Sequence, residues 1–194
     1  ARFIAGTIKN WMDSGELYQD AGIVYRSNAQ SRALEEALLR VNIPYRIYGG
    51  LRFYERMEIK NAMSYLKVVF NPHDNPAFER SIANPTRGIG VKSQAKIRDA
   101  AKAYNLSYIK AAAKLLDEGK MGGKAGQGLR AYLELIAHCI EFLDTLPFSA
   151  SMDHITQKSG LYQYHQKEAG EKGKTRIENL EELVTSAKNF EQSF

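Results

Sequence analysis

Asn84-Pro85-Thr86-Arg87-Gly88-Ile89-Gly90-Val91-Lys92-Ser93 is the stretch from which the fold follows. A Gly-Ile-Gly step ends a helix, and apolar residues recur at helical spacing on both sides of it, so the segment predicts a tight turn between two helices. Upstream, Asp74-Asn75-Pro76 has the polar cap and early proline of a helix start, and that helix runs to about Ala83. Downstream, the spacing predicts a helix over 93–104. Glycine admits positive φ and close backbone approach, so successive N–H groups of the turn can face one anion while Ile89 plugs the turn into the core. The following helix adds free N-terminal N–H groups and the positive end of its dipole, with Lys92 and Lys96 beside them. A phosphate fits there. This is the logic of a helix-hairpin-helix element, which grips nucleic-acid backbone without reading bases. An ordinary helix-helix turn is the plain alternative, because Gly-x-Gly alone is a weak signal. Thr86-Arg87 before it and Lys92 after it favour the phosphate.

Charge points the same way. The 194 residues carry a formal net charge of +5 and a pI near 9.2. Between Arg87 and Arg130 ten bases face only Asp99, Asp117 and Glu118, an excess larger than that of the whole chain. A basic stretch is often no more than a solvated helix face, and only the turn beside it argues for a polyanionic partner.

Working outward, Met57, Ile59, Ala62, Met63, Leu66, Val69 and Phe70 trace a helix that Asn71-Pro72 ends. Further helices are expected over 107–116, 129–146, 152–159 and 177–190. Gly119 to Gly128 holds five glycines and is expected to be a flexible connection. Residues 1–50 read differently. Phe3, Ile4, Ile8, Trp11 and Met12 make an amphipathic helix stopped by Asp13-Ser14-Gly15, and Ala21–Tyr25 reads as a buried strand. Ala33, Leu34, Ala37, Leu38 and Val41 form a helical stripe, and Pro44–Tyr48 reads as a second strand ended by Gly49-Gly50. The expected fold is therefore mainly α: an incomplete α/β (βαβ) piece over 1–50, needing more strands to close a sheet, then an all-α domain over 51–194 with a helix-hairpin-helix-like element. The boundary falls near Gly49 to Phe53.

The composition, 44% hydrophobic and 25% charged, is that of a folded globular chain. No apolar run approaches the roughly 18 residues of a membrane span, and the first residues lack a signal-peptide layout. The single Cys139 forms no internal disulfide, which fits a reducing cytoplasm. His73, His138, His154 and His165 are far apart in sequence, so neither a metal nor a catalytic role is expected of them. No Gly-x-x-x-x-Gly-Lys-Ser/Thr phosphate loop occurs. The chain opens on Ala1-Arg2-Phe3 without an initiator Met, and an excised piece of a longer protein is expected.

Val24-Tyr25-Arg26-Ser27-Asn28-Ala29-Gln30-Ser31-Arg32 leaves a strand and enters a helix, where ligands of open α/β sheets bind. Arg26 can meet a phosphate and Asn28 a phosphate or base edge. By composition alone the better reading is local: Ser31 as helix cap, with Glu35 or Glu36 facing Arg32. Gly50 to Arg56 reads as a hinge packed by Phe53 and Tyr54, and Gly170 to Arg176 as a solvated basic loop.

Taken together, Val24 to Arg32, Tyr48-Gly-Gly-Leu-Arg-Phe-Tyr-Glu-Arg56 with Glu58-Ile-Lys60, Pro85-Thr-Arg-Gly-Ile-Gly90 and Arg176-Ile-Glu-Asn-Leu-Glu-Glu-Leu183 resemble, in order, the superfamily 1 DNA helicases of the UvrD/PcrA/Rep type. The resemblance covers essentially the whole chain. It implies that 1–50 is part of a RecA-like motor subdomain (2A) and 51–194 most of the 2B insertion of a bacterial, nucleoid-associated 3′–5′ helicase of DNA repair. It further implies that Arg26 and Asn28 contact single-stranded DNA, overturning the capping reading, and that Thr86, Arg87, Gly88, Ile89 and Gly90 grip duplex backbone, to which the residues themselves add Lys92 and Lys96. Glu55 to Lys60 match a junction motif in which Asn61 replaces a common acidic residue. ATP and Mg belong to the parent; the ATP-binding motifs, the catalytic residues and any cofactor or metal site lie outside these residues. The implied partners are DNA, the parent's own motor subdomains and repair proteins, with no membrane. An alternative is a protein-interaction module with an incidental basic face. A hairpin DNA glycosylase would need a catalytic Asp about 20 residues on, for which Lys110 and Asp117 are poor stand-ins.

Overall fold

A computed structural model describes residues 1–47, 52–143 and 145–192, apart from the side chain of Asn28. The chain divides into two compact units, Ala1–Arg56 and Met57–Phe194.

The first unit holds α1 (Arg2–Asp13) and α2 (Ser31–Arg40), with single 3-10 turns at Tyr18–Asp20, Asn28–Gln30 and Phe53–Glu55. The Asp13-Ser14-Gly15 stop acts as expected: the Ser14 N–H closes on Asn10 O, and Gly15 turns away at φ +102°. Ala5, Ala37, Leu38 and Ile43 form a small core flanked by Ile8, Ile23, Val41 and Tyr45. The βαβ piece is not formed. Residues 21–25 and 43–47 run without ladder pairing, and no described residue is in a strand. A strand exists only through hydrogen bonds to a neighbour, and neither apolar run has one among the described residues. Val24 is accordingly 97% exposed. Tyr48 to Leu51, which carried the end of the second strand and the glycine pair, lie outside the described residues.

Phe53 to Arg56 is pinned to α2. The Glu35 carboxylate accepts from Ser31 Oγ at 2.9 Å, Tyr45 OH at 3.2 Å and the Phe53 N–H at 3.2 Å, and Arg56 donates to Ser31 Oγ at 2.7 Å.

The second unit is all-helical among its described residues: α3 (Met57–Phe70), α4 (Asn75–Ala83), α5 (Val91–Tyr104), α6 (Tyr108–Asp117), α7 (Gly123–Phe142), α8 (Phe148–Lys158), α9 (Leu161–Gln166) and α10 (Glu171–Glu191). Helix α3 is central, packing on α4, α7, α8 and α10, and it buries Ile59, Ala62, Tyr65, Leu66, Val68 and Val69. Asp74 caps α4 by accepting the Ala77 N–H at 2.9 Å, and the adjacent Asn75 caps α6 by accepting the Tyr108 N–H at 2.9 Å.

Two glycine-bearing stretches read as loops are helical. Helix α7 begins at Gly123, not near 129, and α10 begins at Glu171, taking in the supposed basic loop. Both use glycine for close approach. A Cβ on Gly173 would overlap the carbonyl oxygens of His165, at 2.5 Å, and Glu168, at 2.6 Å. Helix α9 has no counterpart in the sequence reading.

Candidate nucleic-acid interface

The turn between α4 and α5 is held from beneath. The last turn of a helix leaves carbonyls without intrahelical partners, and here side chains from other helices supply them. Tyr65 OH, on α3, lies 2.7 Å from Ser81 O and 2.8 Å from Asn84 O, and the hydroxyls of Ser81 and Tyr132 are 2.6 Å apart. Burial pushes the Tyr65 phenol up to about 12, against the lowering pull of Arg87, and burial raises Tyr132 as well. Both therefore stay protonated hydroxyls at neutral pH.

Arg87 completes this clasp. Its guanidinium donates to Pro85 O at 2.9 Å and to Ser159 O, at the end of α8, at 2.7 Å, with Ser81 O at 3.5 Å. It also lies 5.5 Å from the Tyr65 ring centroid and 5.7 Å from that of Tyr132. A cation set at the carbonyl ends of two helices is favoured by their dipoles. The sequence assigns Arg87 to a phosphate; in the structure its two terminal nitrogens donate to backbone carbonyls of the fold.

What the turn presents outward is different. Gly88 sits at φ +76°, Ile89 is 7% exposed and plugs the turn, and Gly90 caps α5 without a side-chain bond. The N–H groups of residues 88–92 have no internal acceptor among the described residues, the first α5 bonds being those of Ser93 and Gln94 to Gly90 O. Thr86, Lys92 and Lys96 are exposed around them. This arrangement can seat one anion on backbone donors with ammonium groups nearby.

The wider basic stretch is partly neutralised. Arg98 pairs with Glu79 at 2.8 Å, and Glu118 takes Lys114 at 3.0 Å and Lys120 at 2.7 Å, which lowers its carboxyl through those hydrogen bonds. Lys92, Lys96, Lys102, Lys110, Lys124 and Arg130 have no ion-pair partner among the described residues. Lys124, treated in the sequence reading as part of a loose linker, lies on the hairpin. The signal that could have found it was the Gly126 and Gly128 pair, which marks close packing rather than flexibility.

In the first unit, Gln30 Oε1 accepts the N–H groups of Arg26, at 3.1 Å, and Ser27, at 3.3 Å, which shapes the turn that leaves Arg26 exposed. The side chain of Asn28 lies outside the described residues. The Arg32–Glu36 pair is made, at 2.6 Å, but Ser31 is not the helix cap: it stands inside the first turn, bonded to Glu35, and Gln30 occupies the cap position without a side-chain bond.

Folding brings two of the four histidines together. His138 and His154 are ring neighbours, their centroids 5.5 Å apart and both against Phe142. Buried His165 meets the Glu168 carboxylate at 2.8 Å, and Glu168 also accepts from Arg176. Arg176 reaches Glu58 at 3.8 Å, and Asn179 donates to Glu58 at 2.6 Å. Arg176 and Asn179 of the 176–183 motif thus fasten α10 to the first turn of α3. No group of three or more potential metal ligands and no helix long and apolar enough to cross a membrane occurs among the described residues.

The sequence profile of the UvrD-like helicase C-terminal domain matches residues 1–194. DNA helicase II of Escherichia coli K12 is 46% identical over 190 residues, covering 98% of this chain and 26% of that protein. DNA helicase II of Haemophilus influenzae is 44% identical over 190 residues, with the same 98% and 26% coverage. The ATP-dependent DNA helicase PcrA of Staphylococcus aureus Mu50 is 34% identical over 193 residues, covering 100% of this chain and 26% of that protein. The chain thus spans about a quarter of the length of the curated relatives it matches.

Proposed function

The chain belongs to the UvrD-like helicase C-terminal domain family, and from that premise we propose that it is the duplex-contacting, regulatory part of an ATP-dependent 3′–5′ DNA helicase of bacterial DNA repair. Residues 1–50 belong to the 2A motor subdomain and 51–194 to the 2B insertion. The 2B part holds duplex backbone ahead of the fork through Thr86, the N–H groups of Gly88, Ile89 and Gly90, and the ammonium groups of Lys92 and Lys96. Arg87 acts there as a positioning residue, holding the turn rather than touching DNA. Arg26 and Asn28 meet the single strand.

The observation that carries this reading is the run of N–H groups at residues 88–92 with no internal acceptor among the described residues, flanked by exposed Lys92 and Lys96 on a turn clasped by Arg87. Contacts of this kind are independent of base sequence and release counterions, so binding is steeply salt-dependent. ATP and Mg act in the parent's motor. The 194 residues contain no Walker-type phosphate loop, and the chain alone neither hydrolyses ATP nor unwinds DNA.

Fluorescence anisotropy with a labelled duplex, a single strand and a 3′-tailed duplex, each at low and physiological salt, tests this. Salt-sensitive duplex binding lost on Gly88→Val is expected, since valine at φ +76° is strained. Absence of duplex binding by a folded sample at low salt rejects the reading and favours the interaction-module alternative.

A further inference from the structure

We infer that Lys124 is a phosphate-contacting residue of the duplex site, carried to it by α7; this rests on the reading of the hairpin given above. Lys124 and Gly128 stand four residues apart, on one face of α7, and both meet the hairpin. Gly128 lies so close to the Arg87 carbonyl that a Cβ there would overlap its oxygen and stand 3.0 Å from its carbon. The stem of Lys124 lies across Gly88, its Cγ, Cε and Cδ being 2.9, 3.2 and 3.3 Å from where a Cβ of Gly88 would be. The first turns of α7 therefore form a third wall of the site, beside the turn and α5.

A lysine stem laid on a glycine backbone leaves its charged end in water at the edge of the surface it covers. Lys124 is exposed and has no carboxylate partner among the described residues, unlike Lys114 and Lys120, which are both bonded to Glu118. Its ammonium thus has no carboxylate partner among the described residues and is tethered at the turn whose N–H groups lack internal acceptors. Lysine acts toward phosphate as a point charge on a flexible stem, so it serves a backbone phosphodiester of any sequence. The close packing also gives Gly88 a second reason to be glycine: a side chain there would displace Lys124.

The test is equilibrium binding of the 194-residue chain to a fluorescein-labelled blunt duplex across a salt series, for the parent sequence, Lys124→Met and Lys124→Arg. Methionine keeps an unbranched stem over Gly88 and removes only the charge. Lys124→Met is expected to weaken low-salt binding and to flatten the log affinity against log salt slope by about 0.9, the value for one neutralised phosphate. Lys124→Arg should keep the parent slope. If Lys124→Met leaves the slope unchanged while Lys92→Gln flattens it, the inference fails and the hairpin reading stands. Flattening by Lys124→Arg as well also overturns the inference, because charge would then not be the cause. A parent chain that binds no duplex at low salt overturns both.

Discussion

Arg87 and Gly128 meet across the hairpin, and each defeats the usual expectation for its residue type. An arginine in a basic turn is ordinarily read as a phosphate ligand; here the two terminal nitrogens of its fork donate separately to Pro85 O and Ser159 O, whereas lysine has a single nitrogen. Arg87→Lys should cost about 1–3 kcal/mol of stability, as expected where part-buried carbonyls lose a charged donor. Glycine within a helix is ordinarily worse than alanine by roughly 0.5–1 kcal/mol, yet Gly128→Ala should destabilise by about 1–3 kcal/mol, because the added carbon has no room against Arg87. Urea unfolding of both variants checks the two signs, and a stabilised Gly128→Ala would mean that α7 does not approach the hairpin this closely. Gly88 and Ile89 were legible in sequence, since a positive-φ turn and its apolar plug are local demands. The direction of the Arg87 side chain was not, because its acceptor Ser159 lies 72 residues away.

At the scale of elements, helix ends are tied by side chains from distant helices, and these ties titrate. Glu191 of α10 caps α8: the Ser149 hydroxyl and N–H both donate to it, the latter at 2.8 Å, and these bonds hold its carboxyl below the usual range. Burial pushes Glu168 upward, but the hydrogen bonds from His165 and Arg176 outweigh it and leave a net lowering. A carboxyl lowered by folding stabilises above its unfolded value, about 4.3, and that stability is lost as pH falls through the folded value. His154 at the α7–α8 contact is lowered by burial, by His138 and by Lys158. For a base the lowered value favours the neutral form, so its contribution is complete above about 6.5 and is lost as pH falls from there. The melting temperature should therefore drop in two stages, first as the pH falls from about 6.5, then below about 4.5. His154→Phe should remove the first stage and Glu191→Gln should shrink the second. An unsubstituted chain whose melting temperature stays flat as the pH falls from about 6.5 would contradict the His154 assignment. Helical periodicity located α3 to α6 well, because each presents a broad apolar face, but it missed α9, too short at Leu161–Gln166 to show a period, and the starts of α7 and α10.

On the scale of the whole molecule, the two units differ in what they bury. Ala1–Arg56 has Ala5, Ala37, Leu38 and Ile43 as its core and fully buries Phe53, whereas Met57–Phe194 fully buries Tyr65, Tyr132, Ile82, Ile97, Leu129, Ile136, Leu180 and Leu183 among others. Fully burying one such side chain is worth about 1.5–3 kcal/mol, so the second unit should open far less often. Hydrogen exchange read by mass spectrometry should find α3, α7 and α10 protected long after α1 and α2 have exchanged; equal protection would show that the first unit draws its stability from more than its own core. By itself the sequence determined the helical class of 57–194, the α4 cap and proline start, the positive-φ turn at Gly88 and, through its ordered motifs, the family, because these depend on periodicity, local dihedral demand and residue identity. Only the tertiary structure decided that 21–25 and 43–47 run unpaired, that the glycines of 122–128 start and pack a helix, that Arg87 bonds to backbone carbonyls of the fold and that Lys124 lies on the hairpin. Each of those outcomes is set by a partner distant in sequence, and a local pattern carries no information about which carbonyl, ring or strand will stand opposite it.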